Sequence, residues 1–297
     1  MKLNYTIKKS DNYSTIKDVL ITYFKISHRL LIKLKNNNCI FINNNNCIIN
    51  DTIKTGDLIS VSLNYDEEIS NIVPTKMNLD IIYEDDYYLI INKPFGIPVH
   101  PSLLHYEDSL SNGVRFYFNS IGLNKKIRPV NRIDKDTSGI VIFAKNEYIQ
   151  ENLVRQMKSK NFEKEYIAIV EGYFKEKNGT IFAPIDRKEN SIIERCVNNN
   201  GMPSITKYEV LKELLINNIP ISAIKCILET GRTHQIRVHM AYINHPLLGD
   251  TLYNNNPHLD IINRQALHSY KVSFIHPITN EKVCYKANIP KDLMKFF

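Results

Sequence analysis

The order of the predicted helices and strands is the feature that most constrains the fold of this 297-residue chain. Short apolar runs bounded by turn residues predict strands, and apolar residues at helical spacing predict helices. The predicted strands are 139–144, 165–171, 206–211 and 221–229, with two more around an acidic turn within 80–94, and the predicted helices are 108–119 and 146–160. Because the helices do not alternate regularly with the strands, the pattern favours an α+β domain with a mixed sheet over a doubly wound one.

The chain divides by pattern into two units of unequal size. Residues 1–70 form a small N-terminal unit with one predicted helix and short strands after it. Residues 71–79 are a predicted linker, and residues 80–297 form the larger domain with its flanking helices. A chain of this length has room for about two domains, each with its own core.

The composition excludes several classes of protein. With 43% hydrophobic and 23% charged residues, the chain is globular rather than disordered or collagen-like. Its five cysteines are widely spaced and contain no C-x-x-C, which indicates reduced thiols in a cytoplasmic protein rather than a disulfide framework or a zinc site. No stretch approaches the roughly 18 apolar residues of a membrane span. The net charge of +7 suits a polyanionic partner but is also common among proteins without one.

A basic helix is predicted in the N-terminal unit after Ser27, which is placed to cap it. Arg29 and Lys33 are four residues apart and share one face of this helix. No acidic residue lies between Val19 and Asn50, so the sequence alone shows no carboxylate to compensate these cations. Phosphate contacts with a nucleic acid and a merely solvated helix surface both remain open interpretations.

The densest polar segment is 132–139, R-I-D-K-D-T-S-G, which leads directly into an apolar strand. Three interpretations compete. The segment is a turn whose polar side chains bond their own backbone, or a magnesium phosphatase motif of the D-x-D-x-T kind, or a loop that presents Asp134 as a lone nucleophile or base beside a cation. The phosphatase interpretation is weak because no apolar strand precedes Asp134 and Thr137 falls one position too early.

The segment 229–240 offers that cation. Gly231 ends the preceding strand and Thr233 is placed to cap a helix whose apolar face recurs at residues 236, 240 and 243. His234 and His239 diverge by roughly 140° on a helix, which argues against a zinc site. Arg237 lies at the flank of the apolar face, where its planar guanidinium can reach a carboxylate on a neighbouring loop.

Five motifs, in order from about residue 78 to 290, resemble those of the RluA/RluD-type pseudouridine synthases. They are N-K-P-x-G with V-H-P within 80–101, R-I-D-x-x-T-S-G at 132–139, K-x-Y-x-A-x-V-x-G at 164–172, T-G-R-T-H-Q-I-R-x-H with H-P-x-x-G-D within 230–250, and L-H with F-I-H-P within 267–277. Any one of them could arise by chance, but five in order could not. The resemblance implies a pseudouridine synthase-like mixed-sheet domain.

The N-terminal unit is similar, more loosely, to the S4 RNA-binding module that precedes the catalytic domain in one branch of that family. The similarity rests on S-x-R at 27–29, I-F-I-N at 40–43 and G-D-L-I at 56–59, while three asparagines replace the usual glycine-containing turn. It implies a small S4-like α/β module in which Arg29 and Lys33 contact RNA.

The resemblance implies an enzyme that isomerises uridine in RNA to pseudouridine without cofactor or metal. Asp134 matches the essential aspartate, which acts as nucleophile or as base. Arg237 matches its salt-bridge partner, and Tyr166 matches the tyrosine that stacks on the target base and helps remove its C5 proton. Arg132 matches a residue that fills the gap left by the flipped uridine, and Thr137 is counted with it among the RNA-binding residues.

Further expectations follow from the same resemblance. Ribosomal RNA of the large subunit is favoured as substrate over transfer RNA, and a cytoplasmic monomer is expected. Two departures from the family pattern stand out, since Asn131 replaces the usual histidine and Ile133 the usual leucine. A non-catalytic RNA-binding or ribosome-assembly factor that keeps the fold is the alternative.

Overall fold

Two main β-sheets organise the chain, which a computed structural model describes for residues 1–65, 67, 71–159 and 161–297. In chain order the strands are β1 (Lys2–Thr6), β2 (Ile40–Ile42), β3 (Asn45–Asn46), β4 (Leu58–Ser62), β5 (Ile81–Glu84), β6 (Tyr88–Lys93), β7 (Arg128–Pro129), β8 (Ser138–Ala144), β9 (Glu163–Glu171), β10 (Asn178–Phe182), β11 (Ile185–Arg187), β12 (Arg195–Val197), β13 (Ile205–Ile216), β14 (Ile219–Leu228), β15 (Leu267–Ile275) and β16 (Lys282–Lys286). The helices are α1 (Ile16–Asp18), which continues into a π-helical turn at Val19–Tyr23, then α2 (His28–Asn36), α3 (Leu110–Ser120), α4 (Glu147–Lys158), α5 (Gln235–Tyr242) and α6 (Lys291–Met294).

The N-terminal unit contains the smaller sheet, in the antiparallel order β1-β4-β2-β3. Helix α2 begins as predicted, because the Ser27 hydroxyl accepts a hydrogen bond from the backbone N–H of Leu30 at 3.2 Å. Its buried side chains are Leu30, Leu31 and Leu34, which match the predicted helical spacing. The end of the predicted unit at residues 66 and 68–70 lies outside the described residues.

The larger sheet has the order β10-β13-β14-β9-β15-β8-β6-β5, with β16 and β7 attached to β15 and β8. Strands β8 and β15 run parallel and the other neighbours antiparallel, so the predicted α+β class with a mixed sheet is confirmed. Strands β13 and β14 extend beyond their predicted bounds because they form a hairpin. Asn217 and Asn218, both with positive φ, close its two-residue turn.

Helices α3 and α4 begin one or two residues inside their predicted bounds, because the residues just before them act as caps. Asn146 accepts the N–H of Ile149 at 3.0 Å and caps α4. Ser109 and Asn112 form a capping box at the start of α3. The predicted end of the second helix at residue 160 lies outside the described residues.

The parallel pairing of β8 with β15 fixes the position of the polar loop 131–137 that precedes β8. Gly139 pairs with Ser269 and has a φ of 110°, a conformation that side chains with a Cβ rarely adopt. A Cβ added to Gly139 would lie 2.2 Å from the backbone oxygen of Ser269, so only glycine allows the two strands to approach this closely. The loop therefore ends at a rigid point of the sheet.

The N-terminal unit packs against the larger sheet through one apolar cluster, to which α2, α4 and β15 all contribute. Polar contacts surround that cluster. The Ser27 hydroxyl donates to Glu151 at 2.5 Å, and Glu147 of α4 pairs with Lys33 and lies 3.6 Å from the Arg29 guanidinium. A carboxylate from the distant helix α4 therefore partly compensates the cationic face of α2. The sequence around α2, which contains no acidic residue, did not indicate this compensation. The division into domains at 70 and 80 stays a prediction.

Two properties expected from composition can be compared with the structure. All five cysteines are free thiols. Within the described ranges, no helix is both long enough and apolar enough to cross a membrane.

Candidate active site

One small cavity brings together five of the seven predicted site residues. The loop before β8 contributes Arg132, Asp134 and Thr137, strand β9 contributes Tyr166, and the first turn of α5 contributes Arg237. These residues are separated by as many as 105 positions in sequence, so only the fold can place them around one space. The other two predicted residues, Arg29 and Lys33, lie on α2 and do not line this cavity.

The central contact is the predicted ion pair. Arg237 donates a hydrogen bond from Nη1 to Oδ2 of Asp134 at 3.0 Å, across 103 residues of sequence. The guanidinium is buried, whereas 27% of the Asp134 side chain remains exposed to the cavity. A nearby guanidinium stabilises the negative charge of a carboxylate, so Asp134 is both charged and accessible to a ligand.

A second carboxylate, Asp250, determines the orientation of Arg237. Its oxygens accept from Nε at 2.7 Å and from Nη2 at 2.8 Å, and its side chain is completely buried. Burial lowers the pKa of Arg237, but the hydrogen bonds and charges of Asp250 and Asp134 outweigh it and hold that pKa above its usual value. The bidentate contact leaves Nη1 directed at Asp134, because a planar guanidinium cannot turn without breaking both bonds.

The start of α5 differs from the sequence prediction. Thr233 does not cap the helix, which instead begins after His234, a residue with a φ of 57°. The Gln235 side chain closes the turn, since its oxygen accepts from the backbone N–H of Arg232 at 3.0 Å and from the Thr230 hydroxyl at 2.9 Å. The helix therefore begins without the predicted threonine cap, and the Gln235 side chain instead binds the turn that precedes the helix.

The left-handed conformation of His234 turns its ring towards the cavity. One ring nitrogen lies 2.8 Å from the Tyr253 hydroxyl and the other 3.8 Å from the Asp134 carboxylate. Burial lowers the pKa of His234, which favours the neutral ring. His239 faces elsewhere, with its nitrogens at Thr206 and the Ala183 carbonyl, so the two histidines do not converge on one point.

Hydrogen bonds within the loop and from the distant Gln265 hold Asp134 in place. The backbone N–H of Thr137 donates to the Asp134 carbonyl at 3.1 Å, and Gln265 donates to the Thr137 hydroxyl at 3.0 Å. Asn131 is buried and bonds the backbone of β8 twice, donating to the Ile140 carbonyl and accepting from the Ile142 N–H, both at 2.9 Å. Of the two departures from the family pattern, Asn131 therefore anchors the loop, whereas Ile133 lines the cavity.

A buried lysine ties the loop to the segment after β6. Lys93 is completely buried and donates to the backbone carbonyls of Pro94, Ile97 and Lys135, each at 2.8 Å. Burial lowers its pKa to about 7, against an opposing effect of the Asp136 and Asp134 charges. Three carbonyls from two segments converge on one ammonium, so Lys93 fixes the distance between them.

Tyr166 forms a wall of the cavity and is almost completely buried. Burial raises its pKa to about 12, so its phenol keeps its proton at neutral pH. Arg132, in contrast to the buried Tyr166, has a side chain that is exposed to solvent at the cavity mouth. The site thus combines a fixed aromatic surface inside with a solvated cation outside.

Sequence reasoning missed four residues that organise the site: Lys93, Asp250, Tyr253 and Gln265. The sequence could have indicated a special role for Lys93, because it is a lone lysine at the end of an apolar strand. Asp250 closes a motif that was recognised, but nothing local indicated that it would bind Arg237. Tyr253 and Gln265 had no signal at all, since their contacts depend on how distant loops pack.

The chain matches known proteins over most of its length. Residues 87–242 match the family model described as RNA pseudouridylate synthase. A Bacillus subtilis (strain 168) protein, named as the uncharacterized RNA pseudouridine synthase YhcT, is 36% identical over 98% of this chain and 95% of its own length. The ribosomal large subunit pseudouridine synthase D of Escherichia coli (strain K12) is 32% identical over 81% of this chain and 76% of its own.

A solved structure shows the same fold. The human RNA pseudouridylate synthase domain containing 1 protein superposes with a TM-score of 0.61 and 27% sequence identity, over 72% of this chain and 84% of that one. The fold and the matched sequence place the chain in the same class of protein. The chain is a member of the RNA pseudouridylate synthase family, of the RluA/RluD type, and is an RNA pseudouridine synthase. The phosphatase interpretation is therefore wrong, and the non-catalytic alternative is set aside.

Proposed function

We propose that this enzyme converts uridine of large-subunit ribosomal RNA into pseudouridine, with Asp134 as the catalytic carboxylate. The choice of RNA is supported by relatives in four bacterial genera whose names specify the ribosomal large subunit, at 32–37% identity. The role of Asp134 is supported by one observation above all. It is the carboxylate that shares Arg237 with a buried partner while its own side chain stays open to the cavity.

The reaction exchanges one bond to the ribose for another. The bond between C1′ and N1 of the base breaks, the base turns, and a bond forms between C1′ and C5. C5 then loses its proton and N1 gains one, so the product is an isomer of the substrate and no co-reactant is consumed. Asp134 contacts the ribose or the base during this exchange, as nucleophile or as base, and in both cases it reacts as a carboxylate.

Arg237 and Tyr166 prepare that step. Arg237, held by Asp250, pairs with the negative charge of Asp134 at the cavity. Tyr166 offers the flat surface on which the uracil ring stacks. Because its phenol is protonated at neutral pH, its oxygen helps the C5 proton to leave only by passing its own proton on at the same time.

The target uridine has to leave its stack before Asp134 can reach it. We assign Arg132, which is exposed at the cavity mouth, to the space that the uridine vacates in the RNA, and Thr137 to the wall that receives it. Arg29 and Lys33 are proposed RNA contacts further away. The Arg29 side chain is 81% exposed and can approach a phosphate, whereas Lys33 is 32% exposed and engaged by Glu147. A cytoplasmic monomer that needs no metal or cofactor remains the expectation.

The experiment incubates the protein with unmodified transcripts of large-subunit ribosomal RNA and, separately, of transfer RNAs. Pseudouridines are then mapped by carbodiimide treatment and reverse transcription. New stops in the ribosomal transcript are expected with the wild type and none with Asp134→Asn. Asp136→Asn is the matched control, because Asp136 lies in the same loop but does not line the cavity. Full activity of Asp134→Asn would contradict the proposed role, and modification of transfer RNA alone would contradict the proposed substrate.

A further inference from the structure

A second cavity adjoins the candidate active site and is much larger. It lies where the start of β9, the end of β14 and the C-terminal turn of α4 meet, and its volume is about 690 Å³, against about 60 Å³ for the first. Leu228 and Arg232 line both cavities, so the two spaces share a boundary. A volume of this size is typical of sites for small organic ligands.

Lys164 is the feature of this cavity that most needs an explanation. It lies two residues before Tyr166 on β9, on the same face of the strand and about 7 Å along it. The side chain is half-buried, and its Nζ lies 3.0 Å from the place that a Cβ of Gly231 would occupy. Within residues 1–65, 67, 71–159 and 161–297, its ammonium forms no hydrogen bond or ion pair.

The surroundings of Lys164 make that ammonium a binding group for an anion. Removal from water disfavours the charged form, and burial is the cause that lowers the pKa of Lys164. A partly desolvated cation without an acceptor is costly, and a negatively charged ligand would offset the cost. Glycine at position 231 leaves open the space beside the ammonium that any other side chain would enter.

The remaining charges in the cavity do not cancel this one. Glu229 pairs with Lys207 at 2.6 Å, and Glu163 pairs with Lys282 at 3.3 Å. Arg232 makes one long contact, from Nε to the Pro203 carbonyl at 3.4 Å. Arg232 at the boundary between the two cavities and Lys164 within the second cavity therefore both present positive charge.

Part of the cavity lining is apolar. Val154 and Met157 of α4 and the buried ring of Phe162 form this part, and Phe162 is held by stacking on Phe274 with centroids 5.3 Å apart. A cavity lined by both cations and apolar groups matches a nucleotide, whose phosphate is anionic and whose base has a flat apolar face.

We propose that this second cavity binds the nucleotide next to the flipped uridine, with the connecting phosphodiester between Lys164 and Arg232. The proposal rests on the proposed function, because it needs RNA with its target base against Tyr166. Because Lys164 lies about 7 Å from Tyr166 along β9, the same RNA strand can occupy both cavities. Binding of the neighbour would position the ribose of the target over Asp134.

The test measures binding of an oligoribonucleotide of about 15 residues, the length that a nucleic-acid groove of this kind can cover, spanning the uridine found by mapping. All proteins carry Asp134→Asn so that the RNA is not converted. Lys164→Gln should raise Kd about tenfold, as expected for loss of a charge-assisted contact, and should reduce the slope of log K against log[salt] by about 0.7. Lys164→Arg should bind nearly as the parent does, and Lys291→Gln on α6, which removes the same charge from an exposed position, should change neither quantity.

A neutral methylphosphonate at each phosphate that flanks the target identifies the contact. At the phosphate that Lys164 contacts, the neutral substitution should remove the difference in Kd between the parent and Lys164→Gln. Equal Kd and equal salt slope for parent and Lys164→Gln on natural RNA would overturn the proposal. So would a Lys164→Gln defect that persists undiminished on both methylphosphonates, because the lysine would then act through something other than that phosphate. Failure of the wild type to form any pseudouridine would instead refute the proposed function, and the two failures are therefore distinct.

Discussion

Replacement of Asp250 by asparagine tests the idea that this residue aims Arg237 at Asp134. The Asp250 carboxylate accepts four hydrogen bonds, two from Arg237 at 2.7 and 2.8 Å and two from the backbone N–H groups of Leu252 and Tyr253 at 3.0 and 3.2 Å. An asparagine oxygen in the place of Oδ1 keeps three of them. Its NH₂ group, in the place of Oδ2, faces the N–H of Arg237 Nε, so two donors oppose each other.

The magnitude follows from the burial of this pair. Asp250 is completely buried and Arg237 nearly so, and removing one partner of a buried ion pair costs about 3 kcal/mol or more. At about 2–4 °C for each kcal/mol in a chain of this size, the melting temperature should fall by roughly 6–12 °C. A guanidinium that has turned away no longer holds Asp134, and a misplaced catalytic group lowers kcat by about a hundredfold.

The assay compares melting by circular dichroism with steady-state kinetics at a temperature where every variant is folded. For Asp250→Asn, kcat should fall while KM for RNA stays nearly constant, because RNA contacts lie elsewhere. Asp292→Asn is the matched control. Asp292 also binds a buried arginine through both oxygens, at 2.7 and 3.2 Å, but its own side chain is 29% exposed, so its loss should cost less than the loss of Asp250.

Two results would refute this reasoning. A variant that melts much lower but retains a kcat within threefold of wild type would show that Asp134 does not depend on the orientation of Arg237. A melting temperature that falls no further than in Asp292→Asn would show that the buried contact is not the stronger of the two.

Two further predictions concern the sheet and the N-terminal unit. Gly139→Ala should lower the free energy of unfolding by more than about 3 kcal/mol, because its Cβ meets backbone, whereas Gly56→Ala, with positive φ but open space, should cost only about 1–2 kcal/mol. Denaturant unfolding monitors both, and equal losses would contradict the steric argument. Arg29→Gln should reduce the slope of log K against log[salt] for RNA binding by about 0.7–0.9, since its side chain is exposed. Lys33→Gln should reduce that slope less and destabilise the fold more, because a carboxylate of α4 holds its ammonium; the reverse order would place Lys33 in the RNA interface.

Local patterns predicted helices α2, α3, α4 and α5 and the hairpin strands β13 and β14, but they gave no prediction for strands β1, β10, β15 and β16. Ser27 and Asn146 cap their helices as side chains of their type do, and apolar periodicity located the buried faces. Thr233 failed as a cap because the Gln235 side chain, which also bonds the distant Thr206, closes that turn instead. Where a contact between distant segments competes with a local preference, the distant contact decides.

The packing of the N-terminal unit against α4 also depends on a contact between distant segments that local sequence does not predict. The cations of α2 were visible in the sequence, as was the absence of an acidic residue near them. Glu147 was equally visible, but it is 114 residues from Lys33, and nothing in either segment indicates that the helices meet. An estimate of free positive charge from one segment is therefore an upper limit until the packing is known.

In the candidate site, chemistry predicts the pairing of Asp134 with Arg237, but only burial distinguishes Asp134 from Asp250. A carboxylate that works in its charged form needs a cation, and an arginine at the flank of a short helix was the available one, so the Asp134–Arg237 pair could be expected before the fold was known. The family resemblance had paired that arginine with Asp134, but it did not indicate that Asp250 would bind it as well. Asp250 makes the stronger contact with Arg237 but is sealed from solvent, whereas Asp134 makes the weaker contact and faces the cavity. One guanidinium thus binds one carboxylate that is sealed from solvent and one that is open to the cavity, and this difference in exposure supports the proposed assignment of the chemistry to Asp134.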